Sequence, residues 1–422
     1  MEKEPRAGDK VRISTVKEDI EGILLESHEP GLTLIKLKSG YNIGIKNEDI
    51  TNIGILSQKE SKAPELKKIK QNSKLPNVDI IMTGGTISSR LDTETGAVKW
   101  LTSPEELLKF YPDLLEIVNV RKIKVPFMKA SENMDSEDWK EIARNCEESL
   151  NDSSVSGVIV THGTDFLHYT SAALSFFLRD LNKPVVLTYA QRSSDRASSD
   201  ASLNLMCAAR AAISEIAEVM IVGHATSNDD FCYALRGSKV RKLHSSKRDA
   251  FKPVNTKPLA KIWADRVETI SSFRRRDDNR KIKLDLSFND RIALIKFYPG
   301  MEPEMFEFLS GRYEGIILEV AALGHVAIDE ARRNLLPAIK KAIDNGMIIC
   351  AAGQTIYGRL DPLVYSPGRK LMKTGIIFLE DMLSECAYVK LGWVLGHKDW
   401  KNKIKEKMLS SFSGEISERL VE

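Results

Sequence analysis

The stretch Val78-Asp79-Ile80-Ile81-Met82-Thr83-Gly84-Gly85-Thr86-Ile87 (residues 78–87) decides the fold. Five apolar-leaning residues of strand length stop at Thr-Gly-Gly-Thr, a sequence that can only turn. A second apolar run, 155–160, stops at Thr161-His162-Gly163-Thr164-Asp165. Further runs fall at 185–188, 219–222, 292–297, 315–320 and 347–350, and amphipathic helical stretches at 104–110, 136–150, 169–181, 202–216 and 329–345 separate most of them. Strand and helix in alternation predict a parallel sheet covered by helices on both faces. Residues 271–285 (SSFRRRDDNRKIKLD) are charged and poor in apolar side chains. They divide the body into a larger α/β domain, 77–275, and a smaller one, 286–422. Arg274-Arg275-Arg276 read as a solvated interdomain loop, with phosphate contact as the other reading.

Upstream the texture is different. Residues 10–14, 22–25, 32–37 and 41–45 are short β-like runs punctuated by Gly8, Pro30-Gly31 and Gly40. Four or five short strands with close turns predict a small SH3-like β-barrel over residues 1–57. The Lys-rich segment 58–76, with two prolines, reads as a hydrated tether, with a basic RNA contact as the alternative.

Composition excludes several classes. The chain has 422 residues, 42% hydrophobic and 29% charged, and a formal net charge of +3. That is globular, and too nearly neutral for a nucleic-acid coat protein or a polybasic membrane binder. No apolar run approaches the ~20 residues that span a bilayer. The first residues, MEKEPRAGDK, contain no apolar segment, so no secretory signal is expected. The five cysteines (146, 207, 232, 350, 386) are scattered, with no CxxC, which predicts neither a disulfide framework nor a cysteine metal site.

Ligands of parallel sheets bind beyond the carboxyl ends of the strands. Those ends carry Thr83 to Ile87, Ser131-Glu132-Asn133-Met134, Thr161 to Asp165 and a loop containing Lys239 and Lys242. Hydroxyls, acids and lysines on one sheet edge suit acyl transfer. Gly84 and Gly85 would let the backbone turn sharply and offer N–H groups to an oxyanion. The plainer alternative is a strand-to-helix turn with Thr86 as N-cap. Thr164 and Asp165 read either as helix caps or as a hydroxyl relay beside a carboxylate. His162, at the end of a buried strand, reads as structural. A hydroxyl nucleophile needs a base, and a buried lysine can serve when burial depresses its pKa.

Taken together these segments resemble the threonine-dependent L-asparaginase/glutaminase family. The likeness is carried by TGGTI (83–87), SENM (131–134), VTHGTD (160–165) and VRKLHSSKRDAF (240–251). Later matches are ILEVAALGH (317–325), GRLDP (358–362) and 368–396. The resemblance implies a flavodoxin-like larger domain followed by a smaller α/β domain. It places Thr86 on the first catalytic threonine, and Thr164 and Asp165 on the second threonine and its acid. Lys242 falls on the family lysine, with Lys239 as the other register. Ser131 and Glu132 fall where the family holds the α-carboxylate and α-amino groups of substrate. Gly85 and Gly163 supply the oxyanion N–H groups. No metal is implied.

Two departures stand out. Many family members carry a tyrosine soon after the first threonine, whereas residues 88–103 hold only Thr93 and Thr95 as the nearest hydroxyl candidates beyond the turn, and no tyrosine. Ordinary asparaginases also lack the N-terminal barrel. With that barrel and AQRSSDRASSDASLNL (190–205), the chain is similar to the glutaminase subunits of archaeal tRNA-dependent amidotransferases. That likeness implies a homodimer within a heterotetramer. The amidotransferase partner would be the E-type subunit and carry the tRNA and ATP sites. No cofactor is expected in this chain; ATP and magnesium belong to the partner, in keeping with the missing Gly-x-x-x-x-Gly-Lys-Ser/Thr loop. The competing readings are a free-standing asparaginase or glutaminase and a non-catalytic RNA- or partner-binding protein on the same scaffold.

Overall fold

A computed structural model of the chain describes residues 5–25, 27, 30–39, 41–58, 72–91, 98–100, 108, 111–193 and 198–419. Most of the expected tether (59–71), the expected helix at 104–110 apart from Leu108, and Thr93 and Thr95 lie outside these residues.

Five strands form the N-terminal unit: β1 Lys10–Thr15, β2 Asp19–Leu25, β3 Leu32–Leu37, β4 Asn42–Lys46 and β5 Ile50–Ser57. They pair antiparallel in the order β4-β3-β2-β1-β5. β4 and β5 are opposite edges, yet one 3-10 turn, Asn47–Asp49, joins them. Three residues reach only ~10 Å, so the sheet must curl upon itself, as a small barrel does. Alternation fills the inside: Val11, Ile13, Ile35 and Ile45 are buried together. Arg12 and Glu21, paired across β1 and β2, meet on the outside at 2.9 Å.

The larger domain is an eight-stranded sheet. Its strands are β6 Asn77–Met82, β7 Asn119–Lys124, β8 Val155–Thr161, β9 Val185–Thr188, β10 Val219–His224, β11 Cys232–Arg236, β12 Ala260–Ile262 and β13 Val267–Thr269. The order is β7-β6-β8-β9-β10-β11-β12-β13. The first five are parallel, and the last three add as an antiparallel edge. Helices α1 Ser136–Leu150, α2 Leu167–Phe177 and α3 Ala201–Ala212 cover it. α1 shows how local sequence sets an element. Asp135 accepts from the N–H groups of Glu137 and Asp138, and Asp138 answers in a capping box. Trp139, Ile142, Ala143, Cys146 and Leu150 then recur at helical spacing and are buried.

The smaller domain has four parallel strands, β14 Ile292–Lys296, β15 Gly315–Val320, β16 Ile348–Gly353 and β17 Ile377–Phe378, in that order. Helices α4 Glu304–Ser310, α5 Leu336–Asp344, α6 Ser366–Met372, α7 Ser384–Gly396 and α8 Ile404–Leu409 accompany them. α7 lies between the domains against α2. Phe176 stacks on Trp393 with centroids 5.4 Å apart, and one core runs from Ile81 and Leu187 to Ile317 and Cys350.

Three expectations need correction. The helix expected over 169–181 is α2, which stops at Phe177: Leu178–Arg179 leaves to pair with Lys283–Leu284, and Asp180 takes φ +56°. The helix expected from 329 is α5, which begins at Leu336. Asp329 has φ +33°, and Pro337 fits only the first helical turn. Residues 271–285 are no free loop. The Arg274 carbonyl accepts the Ala217 N–H and its own N–H donates to the Glu218 carboxylate, and Arg276 reaches the carbonyls of Glu215 and Ser156. The charges of this segment sit on a backbone strapped to the larger domain.

Candidate active site

Met82 of β6 pairs with Thr161 of β8 in parallel register, so the loops that follow leave the sheet side by side. Thr83 joins them: its N–H and its hydroxyl donate to the Thr161 carbonyl at 3.1 and 2.8 Å. Gly84 and Gly85 then turn the chain with φ of +129° and +84°. A Cβ at Gly85 would lie 2.4 Å from the His162 carbonyl oxygen, and one at Gly84 would lie 2.2 Å from that of Lys129. Conformation and contact both require glycine. The same approach presses Gly85 against the His162-Gly163 backbone, so the loops that carry Thr86 and Thr164 touch.

Thr86 opens a 3-10 turn, Thr86–Ser88, and not an α-helix, so it caps nothing. The turn is tied from three sides. Ser88 Oγ meets Thr161 Oγ1 at 2.8 Å, Ser89 donates to the Thr86 carbonyl at 2.8 Å, and the buried Tyr111 hydroxyl donates to the Ile87 carbonyl at 3.2 Å. No described residue engages the half-buried Thr86 hydroxyl. The chain continues into a two-stranded ribbon, Ser89–Leu91 with Val98–Trp100.

The second loop also refuses the capping reading. α2 begins at Leu167 with Phe166 as N-cap and no side chain in the cap. Thr164 and Asp165 instead meet Lys242, whose Nζ donates to Thr164 Oγ1 at 2.8 Å and to Asp165 Oδ1 at 2.8 Å. The lysine side chain is 8% exposed and the aspartate 60%, so the cation is sunk and its carboxylate faces the open side. Lys242 comes from the ribbon Val240–Lys242 with Phe251–Pro253, in which it pairs with Phe251. That register sets Lys239 elsewhere. It forms an ion pair with Asp381 of the smaller domain, both side chains essentially inaccessible. Burial lowers the Lys239 pKa, against the pull of Asp381.

Ser131, in the 3-10 turn Ser131–Asn133, is buried, and its Oγ accepts the Phe166 N–H at 3.2 Å. It lies under Gly163, where an added Cβ would come within 3.0 Å of its Oγ. Glu132 is exposed beside it. His162 is fully buried. Its Nδ1–H donates to the Gly163 carbonyl at 2.7 Å, and Nε2 accepts from Thr170 at 2.9 Å. Desolvation brings its pKa down to about 4, so it is neutral and acts as a strut beneath the loop.

The structure therefore gathers Thr86, Thr164, Asp165, Lys242, Ser131, Gly85 and Gly163 around three converging loops, with Glu132 at the rim. Two contributors carry no motif and escaped sequence reading. Tyr111 anchors the Thr86 turn. Lys129 donates to the buried Asp138 at 2.6 Å and stiffens the passage from β7 to α1. A tyrosine remote in sequence gives no local signal of the turn it holds. Among the described residues no cluster of three or more His, Cys, Asp or Glu could hold a metal ion, and no helix is long and apolar enough to cross a membrane. All five cysteines are buried and free.

Comparison with known proteins gives the same architecture a family. The model "Asparaginase, N-terminal" matches residues 77–275, and "Glutaminase/Asparaginase C-terminal domain" matches 291–408. The thermostable L-asparaginase from Thermococcus kodakarensis superposes with a TM-score of 0.72 at 28% identity, covering 81% of this chain and 100% of its own. L-asparaginase I from Vibrio cholerae does so with 0.69 at 25%, covering 81% and 99%. Fold and site thus define a protein of the asparaginase class.

The N-terminal unit narrows the class, since residues 6–56 match the "GatD N-terminal domain" model. The D-type subunit of glutamyl-tRNA(Gln) amidotransferase from Thermococcus kodakarensis is 46% identical, over 97% of this chain and 94% of its own length. The D-type subunits of Methanothermobacter thermautotrophicus (42%; 98% and 94%) and Archaeoglobus fulgidus (40%; 97% and 95%) are similar over nearly their whole length. The chain belongs to the family of D-type subunits of glutamyl-tRNA(Gln) amidotransferase.

Proposed function

We propose that the chain is the glutaminase subunit of a tRNA-dependent amidotransferase. The observation that carries this reading is the donation from one buried lysine, Lys242, to both Thr164 and Asp165, with the Gly85-Thr86 turn pressed against the same loop. Thr86 Oγ attacks the side-chain amide carbon of glutamine. Its proton passes to Thr164 Oγ1 as Thr164 hands its own O–H proton to the leaving nitrogen, while Lys242, donating to Thr164 and paired with Asp165, holds this relay in place. Backbone N–H groups at Gly85 and Gly163 hold the oxyanion in a site shielded by buried backbone. The C–N bond breaks, the leaving nitrogen takes a proton, and ammonia departs. Water then attacks the Thr86 ester, releasing glutamate and restoring the hydroxyl. Ser131 and Glu132 receive the α-carboxylate and α-amino groups.

Ammonia in open water would be protonated and lost as a nucleophile, so a closed path to a partner is part of this reading. That partner, the E-type subunit, uses ATP and magnesium to activate Glu on tRNA(Gln) and amidates it. This chain works as a homodimer within a heterotetramer in the cytoplasm and meets tRNA through the complex. The N-terminal barrel, matched by the D-type relatives, favours this over a free-standing asparaginase or glutaminase. In the reconstituted complex, Thr86→Ala and Thr164→Ala should each abolish glutamine-dependent amidation and spare amidation with added ammonia. Retained glutamine-dependent activity in either variant overturns the assignment.

A further inference from the structure

A cavity of about 230 Å³ lies far from the threonines. It opens at the start of β10 (Ala217 to Val219), beside the C-terminal end of α2 and under the chain at Phe412 to Gly414. Strands run parallel, so this is the opposite edge of the sheet from Thr86 and Thr164, on the order of 20 Å away by the rise of a six-residue strand. Three arginines line it: Arg179, Arg236 and Arg274.

The partners of the charges show which arginines are available. Arg236 is committed: its fork takes both oxygens of Glu218, at 2.7 and 3.0 Å. Asp180 is paired with Lys283 at 3.0 Å. Arg179 and Arg274 have no carboxylate partner among the described residues. Arg179 lies over the rings of Phe412 and Trp393, with its guanidinium carbon 4.8 and 5.4 Å from their centroids. A guanidinium seated on aromatic faces keeps its in-plane N–H fork free, and that fork matches phosphate oxygens. Arg274 is held at the mouth by its own backbone, which donates to Glu218 at 3.0 Å. Burial first, and then Arg280 and Arg179, depress the Arg274 pKa against the opposing pull of Glu218 and Asp180.

We propose that this cavity is a binding site for a phosphate group, with the forks of Arg179 and Arg274 as its ligands and Arg236 as a fixed third charge. A bound anion would give these two unpaired forks the partner that Glu218 gives Arg236. The source is a free phosphate compound or an RNA backbone phosphate, and the chemistry of the cavity is the same for both. The site does not depend on the glutaminase reading.

The test is titration calorimetry of the full chain at low salt with inorganic pyrophosphate and, separately, with a short single-stranded RNA. Saturable, salt-sensitive binding of either probe is expected, weakened at least tenfold by Arg274→Gln and by Arg179→Lys. The Arg274 side chain makes no hydrogen bond or ion pair among the described residues, and its backbone N–H, which holds Glu218, survives the change, so its replacement should leave the thermal midpoint unchanged; Arg179→Lys keeps the charge and removes the fork. Arg275→Gln, a neighbouring exposed arginine, should bind as the parent does. Binding of pyrophosphate identifies a free phosphate compound as the source, and binding of RNA alone identifies the backbone. No saturable binding of either probe, or equal binding by all variants, overturns the proposal.

Discussion

Lys242 Nζ lies 2.8 Å from Thr164 Oγ1, and the two residues are 78 positions apart in the chain. The contact joins a short ribbon to the loop beyond a central parallel strand. Through it a largely covered cation reaches the Thr164 hydroxyl at the sheet edge.

Lys242→Met should lower glutamine hydrolysis by roughly 10²–10⁴-fold, the usual worth of a positioned acid–base group. Its thermal midpoint should move little, because Asp165 is 60% exposed and its loss of a partner is met by water. Steady-state kinetics beside a melting curve separate the two. A variant that is fully active, or inactive only because it is unfolded, contradicts the role given to Lys242.

Lys239, three residues earlier, should behave in the opposite way. Replacing Asp381 by Asn leaves a buried ammonium without its counter-charge, which costs about 3–5 kcal/mol. Lys239→Met with Asp381→Leu should recover most of that. Denaturant midpoints measure it. Equal stability of Asp381→Asn and the parent would show that the pair is not buried as described.

Gly85→Ala forces a side chain into φ +84° and onto the His162 carbonyl at 2.4 Å. A strained backbone of this kind costs about 1–3 kcal/mol, and the displaced loop carries Thr86. Hydrolysis should fall at least a hundredfold with a stability loss in that range. An active Gly85→Ala protein would mean that the two loops do not touch.

Acid should destabilise the fold through its buried histidines. His162 titrates near 4 when folded, against 6.5 as a free side chain, because burial penalises the charged ring. His168, drawn down to about 3 by burial and by Arg241 and Lys242, acts in the same sense. The unfolded chain binds these protons first, so stability is whole above pH 6.5 and is lost as pH falls from there toward 4. For His162 alone the loss is about 3 kcal/mol. Denaturation midpoints of the parent and His162→Gln, compared from neutral pH down to about 4.5, should show a shallower fall in the variant.

The sequence by itself determined the local physics. Period-two alternation in residues 10–14 forms β1, with Val11 and Ile13 turned inward. An N-cap aspartate and helical apolar spacing fix α1 to the residue. Apolar runs ending in Gly and Thr mark the sheet edge where the site lies. These are properties of neighbours in the chain, so the chain displays them. It also displays where a helix must begin, as Pro337 in the first turn of α5 shows, but not that Leu178 and Arg179 find a strand partner in Lys283–Leu284, far along the chain.

Tertiary structure decided what depends on distant partners. It made Thr86 and Thr164 members of touching loops and denied both the caps their residue types suggest. It chose Lys242 over Lys239 by pairing one with Phe251 and sinking the other against Asp381. Residue type was the same in each case. A hydroxyl caps a helix or waits for a substrate, and a lysine serves a site or props a core, according to which backbone and which charge the fold brings within about 3 Å of it.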